Sequence, residues 1–312
     1  MKINKPKFWD SKKTTYLSYL LSPFTLPLMI NNYFLCLNKK NRNTKIKTIC
    51  VGNIYVGGTG KTPLTIKLNK ILQEFNFKTA TIKKFYKEQV DEQILLNHKT
   101  KLYCKKNRVE ALNEAIKDNV DIAIFDDGLQ ESSLGYDLNF VCFNNVAWIG
   151  NGKLIPSGPL RENLKSILKY DAIFLNGNEE DNLKIKKSIK KISNNIKIFD
   201  TYYKPINIHK FNNKDNYLIF SGIGNPDSFK TTLLKNKIKI IKEIIFPDHY
   251  QYTKEDIEKI KYISHDLKLK IITTEKDFVK ISKEHSGNID FLEIDLVIKK
   301  QEELVSFIKS KL

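Results

Sequence analysis

The chain has 312 residues, 41% hydrophobic and 11% aromatic, which admits two domains of ordinary size and excludes wholesale disorder. Its formal net charge of +18 points to an anionic membrane or a phosphorylated substrate, with nucleotide-biased composition as the competing source; no arginine-rich helix or base-stacking motif supports nucleic acid. Cys36, Cys50, Cys104 and Cys142 lie far apart, which suits a reducing cytoplasm and excludes a disulfide framework or a clustered metal site.

Residues 14–38 carry no charge, and Tyr16, Leu17, Leu20, Leu21, Phe24, Leu28 and Phe34 make them strongly apolar. The run is long enough to span a bilayer, but Pro23 and Pro27 interrupt it and Asn31 and Asn32 follow. Lys12 and Lys13 precede it and Lys39, Lys40 and Arg42 follow, so the flanks specify no inside and outside. An interfacial, broken helix explains these facts best; a core helix and a true span are the alternatives.

From residue 45 to about 200 the pattern alternates strand and helix. Strand-like runs fall at 47–51, 78–82, 101–104, 120–125, 138–143 and 172–175. Short apolar strands separated by amphipathic helices predict an α/β fold, a mostly parallel sheet covered on both faces.

The first strand leads into Gly57-Gly58-Thr59-Gly60-Lys61-Thr62 and then a helix with Leu64, Leu68, Ile71, Leu72 and Phe75 on one face. Strand, glycine-rich turn and helix N-terminus together make a phosphate cradle. Lys61 adds a point charge for the β- and γ-phosphates of ATP, and the Thr62 hydroxyl a ligand for Mg2+. The usual pattern wants a glycine where Tyr55 stands. Sixty-five residues beyond Lys61, the strand 120–125 ends in Asp126 and Asp127, where an acid can orient magnesium or its water shell.

A second αβ series starts at residue 216, with strands at 217–221, 237–246 and 269–273 and a capping box in Thr253 and Asp256. The extended segments 197–211 and 289–298 read as paired links between two lobes. The predicted organisation is a membrane-interacting helical segment at 1–44, a P-loop NTPase-like core at 45–205 and a smaller α/β lobe at 206–312.

These motifs, taken together, resemble the tetraacyldisaccharide 4'-kinases, which phosphorylate the lipid A precursor. The resemblance runs from about residue 15 to the C-terminus. It rests on Val51-Gly52-Asn53 with Val56 to Pro63, on Asp126-Asp127-Gly128-Leu129-Gln130 and on Pro156-Ser157-Gly158-Pro159-Leu160-Arg161-Glu162. Gly222-Ile223-Gly224-Asn225-Pro226, Phe246-Pro247-Asp248-His249 and Thr273-Thr274-Glu275-Lys276-Asp277 complete it in family order.

The resemblance implies a kinase on the cytoplasmic face of the inner membrane, peripheral or monotopic. It would move the γ-phosphoryl of ATP to the 4'-hydroxyl of a tetraacyldisaccharide 1-phosphate. Its partners are then that acylated lipid and an anionic membrane surface; it acts as a monomer and binds no nucleic acid. Val90-Asp91-Glu92 is similar to the family's Gly-Asp-Glu, so the catalytic base falls on Asp91, paired with His249. From the residues alone, Asp91 is a solvated helix-start acid and His249 a turn residue.

By the same resemblance Glu162 helps to hold magnesium or the nucleophile, beside Asp126, Asp127 and Gln130, and Arg161 faces phosphate. Arg161-Glu162 reads as the opening of a helix carrying Leu164, Ile167 and Leu168. Arg108, heading a helix at 108–117, is either a cleft arginine or a surface charge. With Asp91 and His249 assigned to different lobes, the dyad forms only when the lobes close.

The chain departs from the family in Leu129, in Glu131-Ser132 where His-Arg is usual, and in Ile82-Lys83-Lys84-Phe85-Tyr86 where Ser-Arg-Gly-Tyr is usual. The competing functional class is a membrane-associated P-loop ATPase switch, which would release phosphate rather than leave it on a lipid.

Overall fold

The computed structural model describes residues 5–37, 45–131, 133–177 and 182–312. Lys39, Lys40 and Arg42 of the basic flank, and Ser132, lie outside the described residues. The helices α1 (Tyr16–Leu21) and α2 (Leu26–Leu37) open the chain. There follow β1 (Lys47–Gly52), α3 (Lys61–Glu74), β2 (Thr79–Lys84), α4 (Val90–Lys99), β3 (Leu102–Lys105) and α5 (Arg108–Lys117). Next come β4 (Ile122–Asp126), β5 (Leu138–Asn144), β6 (Ala172–Gly177), α6 (Leu183–Lys190) and β7 (Lys197–Pro205). The remainder is β8 (Asn216–Ser221), α7 (Pro226–Lys235), β9 (Lys239–Ile245), α8 (Lys254–Asp266), β10 (Lys270–Thr274) and α9 (Glu275–Phe278). The strands β11 (Ile289–Leu292) and β12 (Ile294–Ile298) and the helix α10 (Gln301–Lys311) end it.

Two compact units result. The first comprises Met1–Lys84, Thr100–Tyr202 and Leu296–Leu312, and the second Phe85–Lys99 and Tyr203–Asp295. The division is discontinuous, whereas the sequence reading, which sets off residues 1–44, separates the two lobes at a single point after residue 205. Residues 85–99 join the second unit, where α4 packs on α9. The C-terminal segment joins the first, where β12 lies beside β7 and Leu304 and Ile308 of α10 are buried. The pairing expected of the two extended segments is therefore present for β7 and β12, while β11 instead extends the smaller sheet beside β10.

The first unit is built on an eight-stranded sheet in the order β12-β7-β6-β5-β1-β4-β2-β3, and the pairs from β7 to β3 are parallel. Its central strands are buried nearly throughout, as in β1 and β4, because a parallel sheet carries cover on both faces. The second unit has a four-stranded parallel sheet, β11-β10-β8-β9. Alternation along β8 divides its core in two. Tyr217 and Ile219 pack with Phe229 and Leu233 of α7, while Leu218 and Phe220 pack with Ile257 and Ile260 of α8. Thr253 caps α8, with Asp256 returning the bond to the Thr253 backbone.

The N-terminal helices reverse the usual amphipathic arrangement. Buried Ser18 donates to the Ser157 carbonyl at 2.9 Å and accepts from the Asn151 amide at 2.8 Å, and Asn32 donates to the Arg161 carbonyl at 2.8 Å. Tyr16, Leu20, Phe24, Met29 and Tyr33 face outward and are exposed. No helix among the described residues is long and apolar enough to cross a membrane. These apolar residues build no core, which sets aside the core-helix alternative.

Candidate active site

The glycine loop ends β1 and starts α3, as the strand and helix patterns predict. Gly60 caps α3 at φ 88° and Gly57 sits at φ 135°, conformations that a side chain would strain. Thr59 is buried and its hydroxyl accepts from the Asn53 amide at 3.0 Å; Asn53 also donates to the Tyr55 carbonyl at 2.6 Å. Tyr55, standing where a glycine is usual, is buried, and its hydroxyl bonds Asp10. Backbone bonds from Val56 to Pro159 and from Arg161 to Ile54 hold the loop against residues 154–161. The loop thus keeps its glycines where the backbone turns and replaces one glycine by an anchor.

Lys61 and Thr62 start α3 beside the carboxyl end of β4. The Thr62 hydroxyl donates to Asp126 Oδ2 at 3.2 Å, and Lys61 Nζ stands 3.9 Å from Asp127 Oδ2. Arg161 reaches to 3.7 Å from Asp127 Oδ1. Arg108 is buried, donating to the Asp127 carbonyl at 2.6 Å and pairing with Glu131 at 3.2 Å, which discards its surface-charge reading.

The Gln130 amide donates to Glu162 Oε1 and to the Asn53 carbonyl, both at 3.0 Å, tying the acid run to the loop. Glu162 also accepts from Tyr170 at 3.0 Å. Burial, reinforced by this carboxylate, pushes the Tyr170 hydroxyl well above its ordinary value, so it remains a donor. Arg161 and Glu162 do not open a helix. The helical turn is a 3-10 segment, Leu164–Lys169, capped by Asn163, whose side chain accepts from the Lys165 N–H at 3.0 Å.

Asp126 offers a test of the magnesium assignment. It is completely buried, and its Oδ1 has no hydrogen-bond partner, an arrangement that is costly for a carboxylate unless something binds there. Among the described residues no group of three or more His, Cys, Asp or Glu side chains forms a protein-only metal centre. The unpartnered Asp126 Oδ1 fits magnesium, which keeps several waters and takes one or two carboxylates plus phosphate oxygens. Thr62 and Asp126 are the protein groups that would hold it.

The second unit contains the dyad. Asp91, the second residue of α4, is fully buried rather than solvated. His249 Nδ1 lies 3.0 Å from each Asp91 carboxylate oxygen, and the Glu92 N–H donates to Oδ1 at 2.9 Å. Lys276 and Lys280 stand 3.5 and 3.9 Å from Oδ2. Burial pushes the Asp91 carboxyl up, but the His249 bond and the Lys276, His249 and Lys280 charges outweigh it and hold it below the ordinary range. Burial likewise disfavours the Lys276 ammonium, and the Glu92, Asp248, Asp91 and Asp277 carboxylates restore it and raise it further.

His249 sits at φ 58°, strained for a non-glycine residue. Its N–H bonds the Gly222 carbonyl, and the Gly222 N–H bonds Asp277 at 3.0 Å. Asp277 also accepts from Tyr252 at 3.0 Å and pairs with Lys280 at 2.6 Å. Residues 222–226, 246–249 and 273–277 thereby become one support for the histidine. Asp91 and His249 belong to the same unit, which overturns the expectation of a dyad formed by lobe closure: residues 85–99 return to the second unit and bring Asp91 with them.

Sequence reasoning assigned no role to Lys83, Lys276 or Lys280. Lys83 donates to Asp126 Oδ2 at 2.7 Å with both side chains buried. Lys276 stands within the motif of residues 273–277, yet nothing in that motif says what it faces.

Comparison with known proteins is consistent in family. The family described as Tetraacyldisaccharide-1-P 4'-kinase (LpxK) matches residues 20–312. The Tetraacyldisaccharide 4'-kinase of Pelagibacter ubique (strain HTCC1062) is 48% identical over 306 residues, covering 98% of this chain and 97% of that one. That of Rickettsia akari (strain Hartford) is 33% identical, covering 96% and 94%. In fold, the chain is similar to the Aquifex aeolicus LpxK crystallised in complex with ATP, with a TM-score of 0.70 at 22% identity, covering 94% of this chain and 99% of that one.

Proposed function

The chain belongs to the tetraacyldisaccharide 4'-kinase family, and we propose that it transfers the γ-phosphoryl of ATP to the 4'-hydroxyl of a tetraacyldisaccharide 1-phosphate, a step of lipid A biosynthesis. In this reading the amides of residues 57–60 and the N-terminus of α3 cradle the phosphates, and Lys61 compensates charge on the β- and γ-phosphates. Thr62 and Asp126 hold magnesium, which when bound compensates charge on the phosphates. Glu162 and Gln130 stiffen the acid run, and Arg161 and Arg108 keep Asp127 and the loop that follows β4 in place. Asp91 takes the proton of the sugar hydroxyl, and His249 orients its carboxylate.

The observation that carries transfer over hydrolysis is the buried Asp91 carboxylate held on His249 at 3.0 Å. An ATPase switch needs no such base for a sugar hydroxyl. A suppressed carboxyl pKa keeps Asp91 ionised at neutral pH, and fixed geometry compensates for the modest basicity that results.

The protein works as a monomer on the cytoplasmic face of the inner membrane, attached peripherally or monotopically. The outward apolar side chains of α1 and α2 enter the interface, and the net positive charge adds a screened attraction to anionic lipid. The decisive assay follows labelled γ-phosphate from ATP with purified protein and a tetraacyldisaccharide 1-phosphate in detergent. Label recovered on the lipid is the expected result; label released only as inorganic phosphate would select the switch.

A further inference from the structure

The large sheet buries a lysine that the reaction above leaves without a task. In the register of β2 against β4, Ile82 stands opposite Phe125, so Lys83 and Asp126 are the next residues along their strands. The Lys83 ammonium is 2.7 Å from Asp126 Oδ2, and the two side chains are 2% and 0% exposed. Thr62 shares the same oxygen at 3.2 Å, and Oδ1 is the one without a hydrogen-bond partner. A buried ion pair of this kind seldom stabilises more than apolar residues of similar volume would, so its presence at the end of a buried strand calls for another reason.

The neighbouring acid has its own cations, since Lys61 and Arg161 stand 3.9 and 3.7 Å from Asp127. Three positive side chains thus face two carboxylates where the phosphates are to sit. Resting on the kinase reading, we propose that Lys83 is a positioning residue, a resident counter-ion that holds Asp126 in place and neutralises it before metal arrives. ATP can then enter the cradle without magnesium. The metal binds afterwards, at Oδ1, against the repulsion of the ammonium held on Oδ2. A neutral residue at 83 would invert both properties: Asp126 would repel metal-free ATP and attract magnesium more strongly.

The test measures binding rather than turnover, through thermal unfolding of the full chain with ATP in chelator or with magnesium, because a ligand of the native state raises Tm. Wild-type protein should gain at least half of the Mg–ATP stabilisation from ATP in chelator. Lys83→Gln keeps a donor to Asp126 without the charge. It should lose most of the response in chelator, and its magnesium midpoint at saturating ATP should fall about tenfold. Lys83→Arg keeps the charge and should stay within twofold of wild type in both measurements. A Lys83→Gln protein with wild-type response in chelator and an unchanged midpoint would overturn the proposal. So would wild-type protein that ATP stabilises only when magnesium is present, a result that needs no variant to fold. No stabilisation by ATP under either condition would instead overturn the nucleotide-binding reading itself.

Discussion

Asp126 in the first unit and Asp91 in the second are both fully buried, yet they are held in opposite ways. Asp126 crowds its partners onto one oxygen, with Lys83 and Thr62 both on Oδ2 and Oδ1 left without a partner. Asp91 has both oxygens occupied, by His249, the Glu92 N–H and two lysines at longer range. The first carboxylate has its cation on one oxygen and the other oxygen available, which suits a group that receives a second cation. The second is kept charged and fixed in orientation, which suits a group that receives a proton along one direction. Burial alone therefore does not assign a role to an acid; the distribution of partners over its two oxygens does.

The most severe way to break this contrast is to remove the second acid. Asp91→Ala should lower kcat about 10²- to 10⁴-fold with ATP affinity nearly intact, because in the proposed mechanism Asp91 acts on the acceptor. His249→Ala should act in the same direction but less strongly. The double variant should cost much less than the sum of the two barrier increases, since the pair works as a unit; additive losses in kcat would separate them. On the other side, Lys61→Ala and Thr62→Ala should each reduce transfer several hundred-fold, on the order of 3–5 kcal/mol in the barrier. Near-normal turnover of Lys61→Ala at saturating ATP would take the glycine loop out of the mechanism.

Acidity sharpens the contrast further. Asp91 has a folded pKa below the ordinary aspartate value of about 3.9, so its share of stability is present above that value and is lost as pH falls through the folded pKa. Replacing Lys276 by Gln removes one of the cations that lower it, and the Asp91 titration should move upward. Carbon-13 NMR of the labelled carboxyl reads this directly. A midpoint unmoved by Lys276→Gln would leave the His249 bond as the main stabiliser of the carboxylate.

The smallest effect should come from a change that touches neither acid. Replacing the exposed Leu20, Phe24 and Tyr33 by Ser should cut recovery on anionic vesicles and raise the KM for lipid substrate a few-fold while kcat in detergent stays close to wild type. Stripping by salt should grow with ionic strength. Protease-protected fragments retained after alkaline carbonate would instead indicate a span.

Much of this was legible in the residues. The order of β1, glycine loop and α3 follows from an apolar run, positive-φ glycines and helical spacing, all local signals. The capping box at Thr253 and Asp256 is likewise local. The dyad was legible only through family resemblance, because Asp91 and His249 are 158 residues apart and neither has a distinctive neighbourhood. The unit boundaries were less visible still. Nothing in the amphipathic pattern of α4 announces that it packs on α9 rather than on the sheet it follows in sequence. Lys83 escaped for a related reason: Lys83-Lys84 reads as an ordinary basic strand end, and only the register beside β4 reveals Asp126 next to it.

The inside-out packing of α1 and α2 separates two properties that most helices must satisfy with the same side chains. Attachment to the fold runs through Ser18, Asn32, Asn151 and Ser157, by hydrogen bonds. The outward row of Tyr16, Leu20, Phe24 and Tyr33 contributes almost nothing to folding, since it is exposed already. On the membrane reading proposed above, those positions can drift among apolar and aromatic residues, changing how deeply the segment sits in a lipid layer of a given composition, without altering the stability of the domain beneath. A methyl placed at Ser18 would do the reverse. The character of the exposed surface and the stability of the fold are thus open to independent variation within one stretch of chain.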